Sequence, residues 1–208
     1  ASILKSILDN VGYRVAQIGT LGLIADDFKH IKTLTTPDPI TLQKLFSKLH
    51  EANYSHVVME VSSHALDQFR VADVDFNIAV FTNFTPEHLD YHATIESYFQ
   101  SKLRLFTMLG LNSTAIVNIS DPFGKRISKK SVAPVVPFSK CNKNAIHYQK
   151  KETSINGISG EIIAGQKKYS IKSKLIGDFN SENILAAVSV AHALGENKKD
   201  IENGIKNC

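Results

Sequence analysis

The sequence predicts an α/β protein, in which a mostly parallel, doubly wound sheet carries a small antiparallel sheet. Short apolar runs alternate with longer stretches of helical periodicity as far as Asp121, which is the pattern of strands and helices that alternate along a chain. The run HVVMEV lacks polar alternation, which is typical of a strand buried on both faces of a parallel sheet. After Asp121 the segments become shorter and are separated by Gly and Asn, which favours antiparallel strands.

Each predicted element follows from a local pattern. The chain opens on a helix in which Ile3, Ile7 and Val11 recur at helical spacing and Gly12 ends the periodicity. The same periodicity predicts helices at 41–53, 95–109, 183–194 and 198–206. Short apolar runs predict buried strands at 15–20, 56–61, 78–81 and 115–118.

The segment between the last predicted strand and the helix at 183–194 predicts a smaller antiparallel unit. Residues 158–163 and 169–174 alternate in polarity on either side of Gly165, which indicates a β-hairpin. We therefore expect one domain over residues 1–208, with an antiparallel insertion at 131–176.

Composition narrows the class of protein. The net charge of the 208 residues is only +4 and the lysines are scattered, whereas a nucleic-acid-binding protein concentrates its basic residues on one stripe. No apolar run approaches the roughly 20 residues of a membrane span. Cys141 and Cys208 suggest neither a disulfide framework nor a metal site, and a reducing, cytoplasmic compartment is expected.

A first group of candidate site residues follows the strand at 56–61. Ligands of an open α/β sheet bind beyond the carboxyl ends of its strands, and Mg²⁺ held with nucleotide phosphates takes one or two carboxylates. Glu60 stands at such an end, although a helix-capping or ion-paired glutamate explains the position equally well. Ser62, Gln68 and Arg70 follow closely. The Arg70 guanidinium is suited to bind a carboxylate or phosphate as a fork, although an isolated arginine is more often a surface residue.

A second group follows the strand at 78–81. Asn83, His88, Asp90 and His92 are more metal-capable and nucleotide-capable side chains than an ordinary turn carries. A structural histidine with satisfied hydrogen bonds remains the alternative for His88 and for His92. Lys102, on the next predicted helix, is by itself a solvated helix lysine, and only the neighbouring groups make it a candidate.

These residues resemble a known family. The run EVSSHALDQFRVADVDFNIAVFTNFTPEHLDYHATIESYFQSKLRLF is similar to the Mur ligases of peptidoglycan synthesis, and within them to the MurE type, as are TTPDPITLQKL and GDFNSENILAAVSVAHALG. The MurE type joins UDP-N-acetylmuramoyl-L-alanyl-D-glutamate to a diamino acid, usually meso-diaminopimelate or L-lysine, through an acyl phosphate made from ATP. The resemblance implies the central, ATP-handling domain, which has a P-loop NTPase-like fold.

The resemblance also implies roles for individual residues. Contacts to the UDP-muramoyl dipeptide are implied for Thr35, Thr36, Ser62, Gln68 and Arg70. A magnesium site is implied for Glu60, His88 and Lys102, with Lys102 modified by CO₂ to a carbamate. Positions near the ATP nucleotide are implied for Asn83, Asn180 and Asn183, the last two beside the adenine.

The sequence departs from the family at one important motif. The glycine-rich loop G-x-x-G-K-[ST], which precedes the first helix in the family and whose N–H groups and lysine cradle the ATP phosphates, does not occur here. We expect these residues alone to bind ATP weakly and to be inactive, as a part of a longer enzyme. Without the strand that leads into the loop, exposed apolar surface and self-association are also expected. A folylpolyglutamate-synthase-like ligase and a non-catalytic scaffold domain remain alternatives.

Overall fold

The computed structural model describes residues 1–29 and 31–208 and confirms the α/β class. Its helices are α1 (Ser2–Val11), α2 (Pro39–Glu51), α3 (Ser63–Asp67), α4 (Leu89–His92), α5 (Ile95–Thr107), α6 (Pro122–Lys130), α7 (Asp178–Ala193) and α8 (Lys198–Asn207). Its strands are β1 (Val15–Gly19), β2 (Gly22–Ile24), β3 (His56–Met59), β4 (Ile78–Phe81), β5 (Thr114–Asn118), β6 (Val135–Phe138), β7 (His147–Ser154), β8 (Gly157–Ala164) and β9 (Lys167–Ser173).

The parallel strands are divided between two sheets. One sheet has the order β2-β1-β3, in which β1 and β3 are parallel and β2 is antiparallel to β1. The other has the order β4-β5-β6 and is parallel throughout. The mostly parallel architecture is therefore confirmed, but β3 and β4 are not hydrogen-bonded to each other in a single continuous sheet.

A cavity of about 1050 Å³ lies between β3 and β4 and is lined by residues of both strands. We call this cavity the slot. The prediction that residues 56–61 form a strand buried on both faces is wrong, because the strand ends at Met59 and Val57 is 37% exposed. β3 is less buried than predicted because one of its edges borders the slot, where no neighbouring strand among the described residues covers it.

Both faces of the β4-β5-β6 sheet are buried. Ala115 and Val117 of β5 belong to one apolar cluster, which also contains Ile18 of β1, while Ile116 points into a second cluster. This alternation follows from the period of two of a β-strand. The first cluster contains residues of α2, α5 and α6, and the second contains residues of α1, α7 and α8, so that helices cover both faces as in a doubly wound fold.

Helix caps explain where the predicted boundaries shift. The helix predicted at 41–53 begins at Pro39, because the Asp38 side chain accepts a 3.0 Å hydrogen bond from the Thr41 N–H as its N-cap. The last long helix begins at Asp178 rather than at 183. The short elements β2, α3 and α4, and the helix α6, were not predicted. An Asp-Pro pair at 121–122, a common helix start, could have identified α6.

The antiparallel strands β7, β8 and β9 pair in that order, and the predicted hairpin is confirmed by the pairing of β8 with β9. β6 pairs in parallel with β5, which places Val135–Phe138 in the main sheet. The division of the chain into one domain with an insertion at 131–176 remains a proposal. In the part of the chain that the structure describes, no helix is both long and apolar enough to cross a bilayer.

Candidate active site

Glu60 lies at the carboxyl end of β3, beside the equivalent end of β1. Its Oε2 accepts hydrogen bonds from the Thr20 N–H at 3.0 Å and from the Thr20 hydroxyl at 2.9 Å. The carboxyl group rests over Gly19, in the space that a side chain there would occupy. The short residue at Gly19 and the two Thr20 donors thus fix one carboxylate oxygen, while the residues that the structure describes provide no hydrogen bond to Oε1.

Thr36 is buried and ties the loop before α2 to the end of β3. Its hydroxyl donates to the Glu60 carbonyl at 2.9 Å and accepts from the Ser62 N–H at 3.0 Å. Thr35, which is partly exposed, has its hydroxyl 3.5 Å from the Thr20 hydroxyl. Thr35 is therefore placed to contact a ligand, whereas the Thr36 side chain is already occupied by structural hydrogen bonds.

α3 carries the other predicted substrate contacts. The Ser62 hydroxyl caps this helix by accepting from the Ala65 N–H at 3.2 Å, which leaves its own proton free to donate. Gln68 ends the helix, and its Oε1 accepts from both Nε and Nη2 of Arg70, at 2.9 and 2.6 Å. Arg70 Nη1 also donates to the Thr36 carbonyl at 2.9 Å. The structure thus brings Thr36, Ser62, Gln68 and Arg70 together.

Lys102 projects from α5 into a partly buried position that also lines the slot. Its Nζ lies 4.9 Å from the centre of the Tyr98 ring. Burial lowers the pKa of Lys102, and this outweighs the opposite effect of the nearby Glu87 carboxylate. A lysine with a lowered pKa has more of its amine in the neutral, nucleophilic form at a given pH.

His88 is the N-cap of α4 and has a left-handed backbone conformation, with φ of 56°. Its ring centre lies 4.7 Å from that of His64 and 6.3 Å from that of Tyr98. α4 is anchored to α3 by a 3.0 Å hydrogen bond between His92 Nε2 and the Ser63 hydroxyl. Burial, followed by the charge of His64, lowers the pKa of His92. His92 is therefore a buried structural histidine, whereas half-exposed His88 can meet a ligand.

The predicted nucleotide contacts lie on the opposite side of the slot from β3. Asn83 follows β4, and Asn180 and Asn183 lie in the first turns of α7; all three line the slot. The Asn180 and Asn183 side chains are joined by a 3.4 Å hydrogen bond. The loop that carries Asn83 is held by Asp121, which accepts from the Phe84 N–H at 2.7 Å.

The predicted site residues form two neighbouring groups. The slot group, lining the cavity, contains Glu60, Asn83, Lys102, Asn180 and Asn183. The α3 group contains Thr36, Ser62, Gln68 and Arg70, and Thr36 connects it to Glu60. His88 is not among the residues that line the slot; its ring and the Lys102 amine both lie near the Tyr98 ring.

The donor groups present suit a magnesium ion bound together with phosphates. No three His, Cys, Asp or Glu side chains are grouped closely enough to hold a metal among residues 1–29 and 31–208. Magnesium bound to a nucleotide needs only one or two protein carboxylates and completes its shell with phosphate oxygens and waters. The Glu60 carboxylate, which Thr20 holds through Oε2, fits that requirement.

Sequence reasoning missed four residues that hold the site together: Thr20, Asp67, Tyr91 and Asp121. Thr20 is the last residue of the strand predicted at 15–20, and Asp121 comes three residues after the strand predicted at 115–118, so the rule that located Glu60 could have found both. Asp67 and Tyr91 become neighbours only when α3 and α4 pack together, through a 3.0 Å hydrogen bond. No local sequence pattern signals that contact.

Comparison with known proteins identifies the family. Residues 1–191 match the Mur ligase middle domain. This chain belongs to the Mur ligase family. The Mur ligase chain is 39% identical over 98% of its length to UDP-N-acetylmuramoyl-L-alanyl-D-glutamate--2,6-diaminopimelate ligase of Geobacter metallireducens, of which it covers 41%. The ligase of the same name from Geobacillus thermodenitrificans is 32% identical over 99% of the chain, which covers 43% of that relative.

Solved structures place the same fold in several Mur ligases. A 2,6-diaminopimelate ligase of this name superposes on the whole chain with a TM-score of 0.85 and 26% identity, and the chain covers 44% of it. MurF from Acinetobacter baumannii gives a TM-score of 0.79 at 20% identity, over 100% of this chain and 42% of that one. The Mur ligase chain therefore spans less than half the length of each of these four relatives.

The folylpolyglutamate-synthase alternative is matched in fold only. Folylpolyglutamate synthase of Mycobacterium tuberculosis superposes with a TM-score of 0.76 at 15% identity, over 98% of this chain and 54% of that one. The resemblance to the MurE type is confirmed by the two Geobacter and Geobacillus relatives that carry the name of that ligase. Their identities to this chain, 39% and 32%, are more than twice the 15% of the folylpolyglutamate synthase.

Proposed function

We propose that the protein to which this chain belongs is an ATP-dependent ligase of peptidoglycan synthesis. It joins a diamino acid, meso-diaminopimelate or L-lysine, to UDP-N-acetylmuramoyl-L-alanyl-D-glutamate. The observation that carries the proposal is 39% identity over nearly the whole chain to a ligase of that name. The polar groups that the fold gathers at the carboxyl ends of β3 and β4 support it.

The proposed reaction has two steps. A carboxylate oxygen of the UDP-linked substrate attacks the γ-phosphorus of ATP, the bond to the bridging oxygen breaks, and ADP and an acyl phosphate form. The amine nitrogen then attacks the acyl carbon, the bond to the phosphate oxygen breaks, and the amine loses a proton as the amide forms. Charge spreads over the phosphoryl oxygens during the first step, so that the site must supply compensating groups.

Glu60, His88 and Lys102 are the residues proposed to hold magnesium, which when bound offsets charge on the phosphoryl oxygens. Glu60 offers Oε1 of a carboxylate whose Oε2 is held by Thr20. Lys102 is proposed to react as a neutral amine with CO₂, forming a carbamate and releasing a proton. Its burial and lowered pKa support this step, because the neutral amine is the reactive form.

The α3 group is proposed to bind the UDP-linked substrate. Arg70 offers a guanidinium to a carboxylate or phosphate, and Ser62 and Thr35 offer hydroxyl groups. Thr36 is proposed to contact the substrate through its backbone, since its hydroxyl already makes two hydrogen bonds. Asn83, Asn180 and Asn183 are proposed to lie near the nucleotide.

The slot is proposed to hold the strand that leads into the phosphate loop of the family. Ala1 and Ser2, at the start of α1, line the slot together with both strand edges. A loop that enters α1 from this position would direct helix N–H groups at the ATP phosphates. We therefore propose that ATP binds tightly only in the longer protein.

We also propose that the longer protein works in a reducing, cytoplasmic compartment, since Cys141 and Cys208 are both free thiols.

The test is phosphate release by the protein extended to the length of its relatives. The reaction holds UDP-N-acetylmuramoyl-L-alanyl-D-glutamate, ATP and Mg²⁺, with meso-diaminopimelate, with L-lysine or without an amine. Release that depends on one amine supports the ligase and names its substrate. A folded protein that releases phosphate with a folate and glutamate instead supports the folylpolyglutamate alternative. No release with any of these substrates leaves the scaffold alternative.

A further inference from the structure

A continuous set of hydrogen bonds connects Arg70 to α4. Nε and Nη2 of Arg70 donate to Oε1 of Gln68 at 2.9 and 2.6 Å. Nε2 of Gln68 donates to the Tyr91 hydroxyl at 3.3 Å, and that hydroxyl donates to Oδ2 of Asp67 at 3.0 Å. We call Asp67, Tyr91, Gln68 and Arg70 the orientation chain, because each member determines which way the next one faces.

The direction of every bond in the orientation chain follows from Asp67. An ionised carboxylate only accepts hydrogen bonds, so the single proton of the Tyr91 hydroxyl goes to Asp67. The lone pairs of that hydroxyl are then left to accept from the NH₂ group of Gln68. Oε1 of Gln68 consequently faces Arg70, whose guanidinium has only N–H groups to offer. A reversed amide would place NH₂ against the guanidinium and lose both bonds.

The orientation chain holds the guanidinium while leaving part of it available. Of its five N–H groups, Arg70 uses two on Gln68 and one on the Thr36 carbonyl, at 2.9 Å, among the residues that the structure describes. One N–H on Nη1 and one on Nη2 are the remaining donors. A pair of donors on neighbouring nitrogens matches the two oxygens of a carboxylate or phosphate.

We propose that Asp67 and Tyr91 are positioning residues that fix the Arg70 guanidinium for an anionic group of the UDP-linked substrate. The proposal rests on the ligase function proposed above and deepens it at the substrate side. An arginine side chain held in its binding orientation loses less conformational entropy when the substrate binds. Asp67 and Tyr91 therefore lower the KM for the UDP-linked substrate without touching that substrate or ATP.

The surroundings of Asp67 make its substitution informative. Its Oδ1 lies 3.7 Å from Nη1 of Arg104 and 3.4 Å from the Ser101 hydroxyl, whose proton is shared with the Ser97 carbonyl at 3.1 Å. In Asp67→Asn these donors keep the amide oxygen on their side, so that the NH₂ group faces Tyr91. Tyr91 must then accept from the asparagine and give its proton to Gln68, which turns the Gln68 amide and places its NH₂ against Arg70.

The experiment measures steady-state kinetics of the ligase at the full length of its relatives, with Tyr91→Phe and Asp67→Asn. Tyr91→Phe removes the hydroxyl but keeps the ring that packs 4.2 Å from the His64 ring. We expect the KM for the UDP-linked substrate to rise roughly tenfold, the equivalent of one hydrogen bond. We expect the KM for ATP to stay unchanged and kcat to change much less than the KM for the UDP-linked substrate. General destabilisation of the enzyme would not raise one KM selectively.

Asp67→Asn is expected to raise the same KM at least as much as Tyr91→Phe, although it changes the shape of the side chain very little. In the double variant Asp67→Asn/Tyr91→Phe the two effects are not additive, because the single variants disrupt the same chain. Additive effects, or an Asp67→Asn variant with the unaltered KM, contradict the proposal even if Tyr91→Phe proves poorly folded.

Tyr54→Phe is the matched control. The Tyr54 hydroxyl also accepts from a donor, the Asp27 N–H at 3.2 Å, and donates to a carboxylate, Asp27 Oδ2 at 3.4 Å. It belongs to neither group of the site, so its loss leaves both KM values unchanged. If the unsubstituted ligase shows no amine-dependent phosphate release, the proposed function fails. If that ligase is active but both site variants behave like Tyr54→Phe, the positioning role alone fails.

Discussion

The hydroxyl of Thr36 donates a 2.9 Å hydrogen bond to the carbonyl of Glu60. The same hydroxyl accepts from the Ser62 N–H at 3.0 Å, and Thr36 is 1% exposed. One buried side chain thus fixes the backbone on both sides of Val61, where the proposed metal ligand and the proposed substrate residues meet. The sequence resemblance implies a substrate contact for Thr36, and the structure gives its hydroxyl a structural role.

Thr36→Val tests that structural role. Valine has nearly the same shape but leaves the Glu60 carbonyl and the Ser62 N–H without their partner, so we expect a loss of roughly 1–3 kcal/mol in the free energy of unfolding. Thr36→Ser keeps the hydroxyl and should lose less. Urea unfolding measures both variants against Thr33→Val, whose hydroxyl donates to the carbonyl of the neighbouring Leu34 at 2.9 Å. Equal stability of Thr36→Val and Thr33→Val would show that the buried hydroxyl contributes nothing.

Lys102→Ala tests the proposed carbamate in the protein extended to the length of its relatives. Loss of the carbamate that is proposed to help hold magnesium should lower kcat on the order of 10²-fold, with an unchanged urea midpoint. The reason is that the Lys102 amine contacts the Tyr98 ring and is proposed to serve chemistry rather than stability. Unaltered turnover removes Lys102 from the mechanism.

A separate measurement distinguishes the carbamate from a plain amine. Activity of the unsubstituted enzyme should fall in CO₂-depleted buffer and return with bicarbonate, whereas residual activity of Lys102→Ala should not respond. Lys44→Ala, an exposed lysine on α2, provides the control for loss of a positive charge. A CO₂ response that persists in Lys102→Ala would place the carbamate elsewhere.

Arg70→Ala should raise the KM for the UDP-linked substrate far more than the KM for ATP. Arg70→Lys should not restore it, because an ammonium group cannot bind Gln68 and an anion as a planar fork. The two KM values are measured separately, with Arg126→Ala as the control, since Arg126 binds Glu96 on the surface. An equal rise in both KM values for Arg70→Ala would exclude a dedicated substrate contact.

The exposed pair of Glu96 and Arg126 predicts a pH dependence of stability. Two hydrogen bonds from Arg126, with a further one from Gln100, lower the pKa of Glu96 to about 2. Since the folded pKa lies below the unfolded value of 4.5, the stabilisation is fully present above pH 4.5 and is lost as the pH falls towards 2. Glu96→Gln should therefore lower the urea midpoint at pH 7 and have a progressively smaller effect below pH 4.5.

A double variant checks the origin of that dependence. In an Arg126→Ala background the Glu96→Gln substitution should have a much smaller effect at pH 7, since the main partner is gone. A difference between Glu96→Gln and the unsubstituted chain that stays constant from pH 7 to pH 3 would contradict the lowered pKa of Glu96. Because the pair is solvent-exposed, added salt should also reduce its contribution.

The sequence could predict those elements and candidate site residues that are marked by a local sequence pattern. β4 was predicted with its bounds, and Glu60, Asn83 and Lys102 could be proposed because each lies at a strand end or in a motif of the family. The hydrogen bond between Tyr91 and Asp67 could not be predicted, because it depends on how α3 and α4 pack against each other, and no local sequence pattern reports that packing. The partial exposure of Val57 was missed because a run of apolar residues does not report whether a neighbouring strand is present.

The last prediction concerns the open edges of β3 and β4 that face the slot. Each strand carries N–H and C=O groups along both edges, and unpaired edge groups exchange their hydrogens with water readily. β3 is paired only with β1, and β4 only with β5, on the described part of the chain, so each presents one open edge to the slot. β5 is paired on both sides, with β4 and β6.

Hydrogen–deuterium exchange of this chain and of a version extended at its N-terminus distinguishes a strand site from a permanent cavity. If the added segment enters the slot as a strand, the amides of β3 and β4 should exchange more slowly in the longer protein, because their open edges become paired. Amides of β5 should change much less, since both of its edges are already paired. Equal exchange of β3 and β4 in the two proteins would mean that the slot is not completed by a strand. The two sheets would then be separate units, and the phosphate loop would have to enter the site by another route.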